Sequence, residues 1–192
     1  MNERVQTART VPAVAHGKRM RLGAIVALAV LAGFVAWLIF KGDDNKTNAP
    51  VRAPAVAASY SQLQALPGQV GHKVYWAGKK AGYTYELTQT SQGNIFVRYL
   101  PAGVEPGDAR PNFLTVGTYP RKDAYSSLKK LSTKPGSVSR QLAGGGIAVY
   151  SRQGPASVYA AYPGKRFQVE VYDPSPTRAR HLLFSGQVRP LP

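Results

Sequence analysis

YTYELTQTSQGNIFVRYL, residues 83–100, alternates apolar and polar side chains on either side of a break that contains glycine. Tyr83, Tyr85 and Leu87 interleave with Thr84, Glu86 and Thr88, and Ile95, Val97 and Tyr99 interleave with Phe96 and Arg98. A period of two belongs to strands that bury one face, so the stretch predicts a β-hairpin. The turn sets the register. A three-residue loop of Ser91, Gln92 and Gly93, with Gly93 left-handed, places Leu87 opposite Val97, Tyr85 opposite Tyr99 and Glu86 opposite Arg98. A two-residue loop would set Leu87 against Arg98 and mix the faces. The first register is therefore expected, with a Glu86 to Arg98 cross-strand pair on the outer face worth only about 0.2–1 kcal/mol.

Outward from this hairpin the same pattern recurs. Tyr162, Pro163, Gly164 and Lys165 read as a turn joining SVYAAY to FQVEVY, with Val158, Ala160, Phe167, Val169 and Val171 on one buried side. Shorter strands are expected at Val74 to Trp76, Phe113 to Tyr119, Val138 to Leu142 and Ile147 to Ser151. Three helices fit between them. Ser59 with Gln62 resembles a capping box opening a helix that turns Leu63 and Leu66 inward. Asp123 to Leu131 sets Ala124, Leu128 and Leu131 on one face and Lys129 and Lys130 on the other. Ser175 and Pro176 read as N-cap and first helical residue, with Ala179, Leu182 and Leu183 inward and Gly186 as the stop. The expected fold class is α+β, an antiparallel, sheet-rich outer domain with about three helices. Each block of four strands ends in Tyr and Pro before a helix, at Tyr119-Pro120 and at Tyr172-Asp173-Pro174. The blocks match nowhere else, so coincidence is preferred to internal duplication.

The chain has 192 residues, which suits one domain with appendages. It contains no Cys, which excludes disulfides, thiolate metal sites and a Cys nucleophile together. A charged fraction of 18% with 11 Tyr, 6 Phe and 2 Trp leaves enough bulk for a core, so the chain does not read as disordered.

Leu22 to Phe40, LGAIVALAVLAGFVAWLIF, lacks any ionisable or amide side chain over 19 residues. At about 1.5 Å per residue it spans ~28 Å, close to the hydrocarbon core of a bilayer. A cleaved signal peptide has a shorter apolar region with small residues close behind, whereas here the run ends in Trp37, Leu38, Ile39 and Phe40. An uncleaved signal-anchor is expected over 22–40, so the lipid bilayer is the first partner. Arg4, Arg9, Lys18, Arg19 and Arg21 precede it against Lys41, Lys46 and Arg52 after it, which places the N-terminus in the cytoplasm and the C-terminal bulk outside. Ala29 and Gly33, four apart, allow close approach of two such helices in a homodimer, with passive anchoring as the other reading. Residues 1–21 then form a basic cytoplasmic tail, 41–58 a disordered tether rich in Asp, Asn, Ala and Pro, and 59–192 the extracytoplasmic domain.

Reactive constellations are scarce. Of the three histidines His16 lies in the tail, and His72 and His181 in the outer domain are too few for a zinc site without cysteine, so no metal or cofactor is expected. Glu105 and Asp108 sit in a turn-rich loop, VEPGDARP, where an ion pair with Arg110 is a simpler reading than acid/base chemistry. No G-x-S-x-G occurs, and Gly144 to Gly146 lacks the Lys and Ser or Thr of a phosphate loop, so it reads as a hairpin connection. Basic residues interleaved with tyrosines remain. Lys79, Lys80, Arg98, Arg152, Lys165 and Arg166 are the candidate binding face. Residues 59–192 carry 17 Lys plus Arg against 6 Asp plus Glu, a net +11, which attracts anionic surfaces. The expected function is a non-enzymatic binding or accessory module of the cell envelope, directed to an anionic polymer, an acidic protein or a membrane-complex partner. Cytosolic nucleic acid is disfavoured by topology. Two rivals stand beside it: a hydrolase-like envelope enzyme using His181, His72 or Glu86, and a structural subunit of a membrane machine that would show an exposed apolar patch beyond ~600 Å² or an unpaired strand edge.

Overall fold

The structure, a computed structural model, describes residues 54–192. The tail, the apolar segment 22–40 with Ala29 and Gly33, and the tether as far as residue 53 lie outside the described residues. Among the described residues no helix is long and apolar enough to cross a membrane.

Ten strands and three α-helices follow one another as β1 (Val56–Ala58), α1 (Tyr60–Val70), β2 (Tyr75–Trp76), β3 (Tyr83–Gln89), β4 (Ile95–Pro101), β5 (Thr115–Pro120), α2 (Ala124–Ser132), β6 (Ser137–Gln141), β7 (Ile147–Ser151), β8 (Ser157–Ala161), β9 (Phe167–Tyr172), α3 (Pro176–Phe184) and β10 (Arg189–Pro190). Eight strands form one antiparallel sheet in the order β1-β3-β4-β5-β9-β8-β7-β6, and β10 pairs with β2 beside it. The domain is α+β. Two strands were not expected. β1 takes Val56 to Ala58 out of the predicted tether and pairs them with Leu87 to Tyr85, and β10 pairs Arg189 with Trp76.

The hairpin of residues 83–100 has the expected register, with Leu87 opposite Val97, Tyr85 opposite Tyr99 and Glu86 opposite Arg98. Thr90 N–H bonds to Asn94 O at 3.0 Å across the loop of Ser91, Gln92 and Gly93, and Gly93 has φ 79°. Local signals also start the helices. Ser59 accepts from Gln62 N at 3.2 Å while Gln62 Oε1 accepts from Ser59 N at 2.7 Å, closing the capping box. Ser175 caps α3, with Pro176 next and Gly186 at φ 73° after it.

Both faces of the sheet are covered. On one, Leu63 and Leu66 of α1, Trp76 of β2 and Ala179, Leu182 and Leu183 of α3 pack on Ile95, Val97, Tyr99, Val116, Val158, Ala160, Phe167, Val169 and Val171. On the other, Ala124 and Leu128 of α2 pack on Ile147, Val149, Tyr159 and Ala161. The strand order is symmetric about the β5 to β9 pair, yet α2 and α3 lie on opposite faces, so the helices do not repeat the symmetry of the strands. Over β3, β4 and β5 the second face carries no helix among the described residues. The connection from residue 102 to residue 114 closes that half instead.

Candidate functional site

Alternation along β3, β4, β5, β9 and β8 brings Glu86, Arg98, Thr115, Tyr172 and Ser157 into one row across the second face. The Glu86 to Arg98 pair, expected on an outer face, is buried, with 1% and 5% of each residue exposed. Arg98 donates to Glu86 Oε1 at 3.1 Å, to Asp108 O at 2.7 Å and to Arg110 O at 2.6 Å. Gly107 N–H donates to Glu86 Oε2 at 2.7 Å, and Phe113 lies under the guanidinium at 4.7 Å. Tyr172 OH reaches Pro111 O at 2.5 Å. Arg98 is therefore removed from the candidate binding face: it is the clamp that holds the 102–114 connection to the sheet. A buried guanidinium needs several acceptors, and the returning loop supplies two main-chain carbonyls in addition to the carboxylate. Further out on the loop, Asp108 and Arg110 form the expected ion pair at 2.6 Å, which holds the Asp108 carboxyl at about 2.

One row further along the sheet lies Glu170, 2% exposed and opposite Gly117 on β5 and Tyr159 on β8. It accepts hydrogen bonds from Ser157 at 2.7 Å, from Tyr159 at 3.1 Å and from Tyr119. A Cβ on Gly117 would lie 2.9 Å from Cε2 of Tyr119, so glycine is what lets this ring cross β5 to reach the carboxyl. Burial pushes the Glu170 carboxyl up from its ordinary value, opposed by the three hydroxyls, which favour the ionised form. Burial and the Glu170 charge together push the Tyr159 phenol well up.

These buried groups satisfy one another. His72 hydrogen-bonds to two main-chain carbonyls, those of Lys73 at 2.9 Å and Gly93 at 3.2 Å, and His181 is exposed on α3. Among the described residues no group of three or more His, Cys, Asp or Glu is placed to hold a metal ion. Glu86 and the two histidines, the residues of the enzyme reading, are not brought together.

The remaining candidates divide between the ends of the sheet. Lys79 and Lys80 sit before β3 and lie over aromatic rings, Lys79 at 5.0 Å from Tyr60 and Lys80 at 5.4 Å from Tyr83. Arg152 follows β7, while Lys165 and Arg166 form the β8 to β9 turn at the opposite end. The six residues do not make one face. Three of them do share a neighbour: Arg166 O accepts from Arg121 N–H at 2.8 Å just before α2, and Arg152 N–H donates to Gly136 O at 2.9 Å just after it. No family model, curated protein or solved structure matches this chain.

α2 is thus the spine of a basic surface. Lys129, Lys130 and Lys134 are exposed along it, with Lys165 and Arg166 beyond its start and Arg152 beyond its end. From Ala124 to Val169 the sequence has seven Lys or Arg and no Asp or Glu. Two acids flank this run: Glu170 is buried, and Asp123 is paired with Arg121 at 2.7 Å and held at about 2 by Arg121 and Ser127. Reading basic residues by their nearness to tyrosine missed the three lysines. The signal that finds them is the acid-free window.

Proposed function

We propose that this protein is a single-pass, membrane-anchored extracytoplasmic module that binds without catalysing, and that the α2 surface docks an anionic component of the cell envelope. The observation that carries this reading is the run of seven basic residues and no acidic one between Ala124 and Val169, six of which, all but Arg140, lie along or beyond the ends of α2. Positive charge concentrated on one surface attracts polyanions and weakens with salt, since exposed charges are screened within about 8–10 Å at physiological ionic strength. The apolar segment 22–40 supports the anchor, and the basic residues before it support an N-in orientation.

The test is binding of dextran sulfate by the full chain in zwitterionic nanodiscs over a range of salt. Affinity is expected to fall steadily with added salt and to collapse in the Lys129→Glu, Lys130→Glu, Lys134→Glu variant. Salt-independent binding, or binding unmoved by the triple reversal, overturns the reading. Because the chain has no native Cys, single cysteines introduced in the tail and at an exposed outer position report topology through an impermeant maleimide. Labelling of the tail from outside intact cells would reverse the orientation.

A further inference from the structure

The eight-stranded sheet ends in β6, which pairs with β7 on one side and, among the described residues, with no strand on the other. The β6 residues that point their main-chain groups outward follow from the ladder. Gly136 O accepts from Arg152 N–H at 2.9 Å, and Leu142 N–H donates to Gly146 O at 2.8 Å. Hydrogen-bonded pairs alternate with non-bonded ones in an antiparallel ladder, so Gly136, Val138, Arg140 and Leu142 address β7. Ser137, Ser139 and Gln141 therefore turn their N–H and C=O groups away from the sheet. Ser137 N–H is used by Lys134 O at 3.1 Å. The main-chain groups of Ser139 and Gln141 have no hydrogen-bond partner among the described residues, and both residues are exposed.

The charge beside this edge is of one sign. Lys129, Lys130 and Lys134 stand on the α2 side. On the other face Arg140 lies over Phe184 at 4.7 Å and Arg180 over Tyr150 at 5.1 Å, and Arg152 adjoins the start of the strand. Pairing of β6 with β6 of a second copy brings these cations together, which like-charge repulsion opposes. An incoming strand with acidic side chains meets cations on both of its faces while its main chain completes the ladder.

We infer that β6 is a docking edge for an extended acidic peptide segment of a protein partner, added as a ninth strand of the sheet. This rests on the reading of the α2 surface as an anion-binding face and names the class of partner it takes. Main-chain hydrogen bonds hold the segment in register, and its carboxylates lie between the α2 lysines and Arg140 with Arg180.

The experiment uses the full chain in zwitterionic nanodiscs with three probes: a labelled octapeptide alternating Glu and Thr, the same peptide N-methylated at every backbone amide, and dextran sulfate. N-methylation keeps the charge and removes the ladder donors. It is expected to weaken binding by about tenfold or more, because two or three ladder bonds are lost. Ser139→Pro removes only an outward donor, which an edge strand tolerates, so the variant folds. With one ladder bond lost, it is expected to weaken the unmodified peptide by about two- to tenfold and to leave dextran sulfate binding unchanged. Equal affinity for the two peptides, or a peptide indifferent to Ser139→Pro, overturns the edge proposal while the anion-binding reading stands. Failure of dextran sulfate to bind overturns that reading, and the edge proposal with it. A homodimer that Ser139→Pro dissolves makes a second copy the occupant and also overturns the proposal.

Discussion

Arg98→Met tests the clamp on the second face of the sheet. The substitution keeps an unbranched side chain of similar reach and removes the cation, leaving Glu86 buried with Gly107 N–H as its remaining hydrogen-bond donor. Removing one partner of a buried ion pair costs about 3–5 kcal/mol, because the other charge stays in a poor solvent for it. A domain of this size has about 5–15 kcal/mol of stability, so a large share is lost. The double variant Glu86→Leu, Arg98→Met leaves no orphan charge, and replacing a buried pair by apolar groups is near neutral, so it is expected within about 2 kcal/mol of the parent. Urea unfolding of the full chain in micelles, followed by near-ultraviolet circular dichroism, measures all three. Arg98 also holds the carbonyls of Asp108 and Arg110, so the endoproteinase Asp-N should cut before Asp108 sooner in both variants than in the parent. A loss below about 1 kcal/mol for Arg98→Met, the value of an exposed cross-strand pair, would refute the reasoning. So would additivity of the two single substitutions.

Gly117→Ala sets a methyl 2.9 Å from the Tyr119 ring, which must leave Glu170; a loss of about 1–3 kcal/mol is expected in the same unfolding assay. Glu170→Gln addresses pH. Burial raises the folded value of the Glu170 carboxyl above its ordinary 4.5, so ionisation is harder in the folded chain than in the unfolded one. The cost is absent below that ordinary value and grows as pH rises toward the folded one, where it levels off. Relative to Glu170→Gln, the parent should therefore lose stability as pH rises above 4.5, and a gain over that window would show that the three hydroxyls outweigh burial. Ser59→Ala opens the capping box of α1 and is expected to cost about 1 kcal/mol, read as a shift in the urea midpoint without a change in slope.

The elements with local causes were legible. The hairpin register followed from a three-residue loop with glycine at its last position, and the starts of α1 and α3 followed from Ser59 and Ser175. Leu63, Leu66, Ala179, Leu182 and Leu183 are buried as their helical spacing required. What escaped depends on distant chain. Val56 to Ala58 is too short to declare a strand and becomes one only beside β3. Glu86 and Arg98 were aligned correctly but set on a solvated surface, because nothing within the hairpin says that residues 102–114 fold back over it. Nothing within β5 accounts for Gly117, and only Tyr119 lying across it explains the missing side chain. For the binding face, tyrosine adjacency along the chain was the wrong guide, since strands separate sequence neighbours onto opposite faces. The acid-free window around α2 survives folding because α2, β6 and β7 are successive neighbours in space.

The pairing of β5 with β9 carries a kinetic consequence. Its residue pairs, from Thr115 with Tyr172 to Pro120 with Phe167, are 47 to 57 positions apart, whereas β3 with β4 and β8 with β9 close across short turns and β4 with β5 across residues 102–114. Each meander closes small loops and forms early; the central seam waits for the two to meet. At about 5–20 residues per second, a nascent chain exposes the free edge of β5 for about 2–11 s before β9 has been made. That edge lies in what becomes the middle of the sheet and bears no charged side chain from Thr115 to Pro120, so it lacks the protection that Arg140 gives to β6. The window before β9 arrives is when this domain is most open to pairing with the wrong strand.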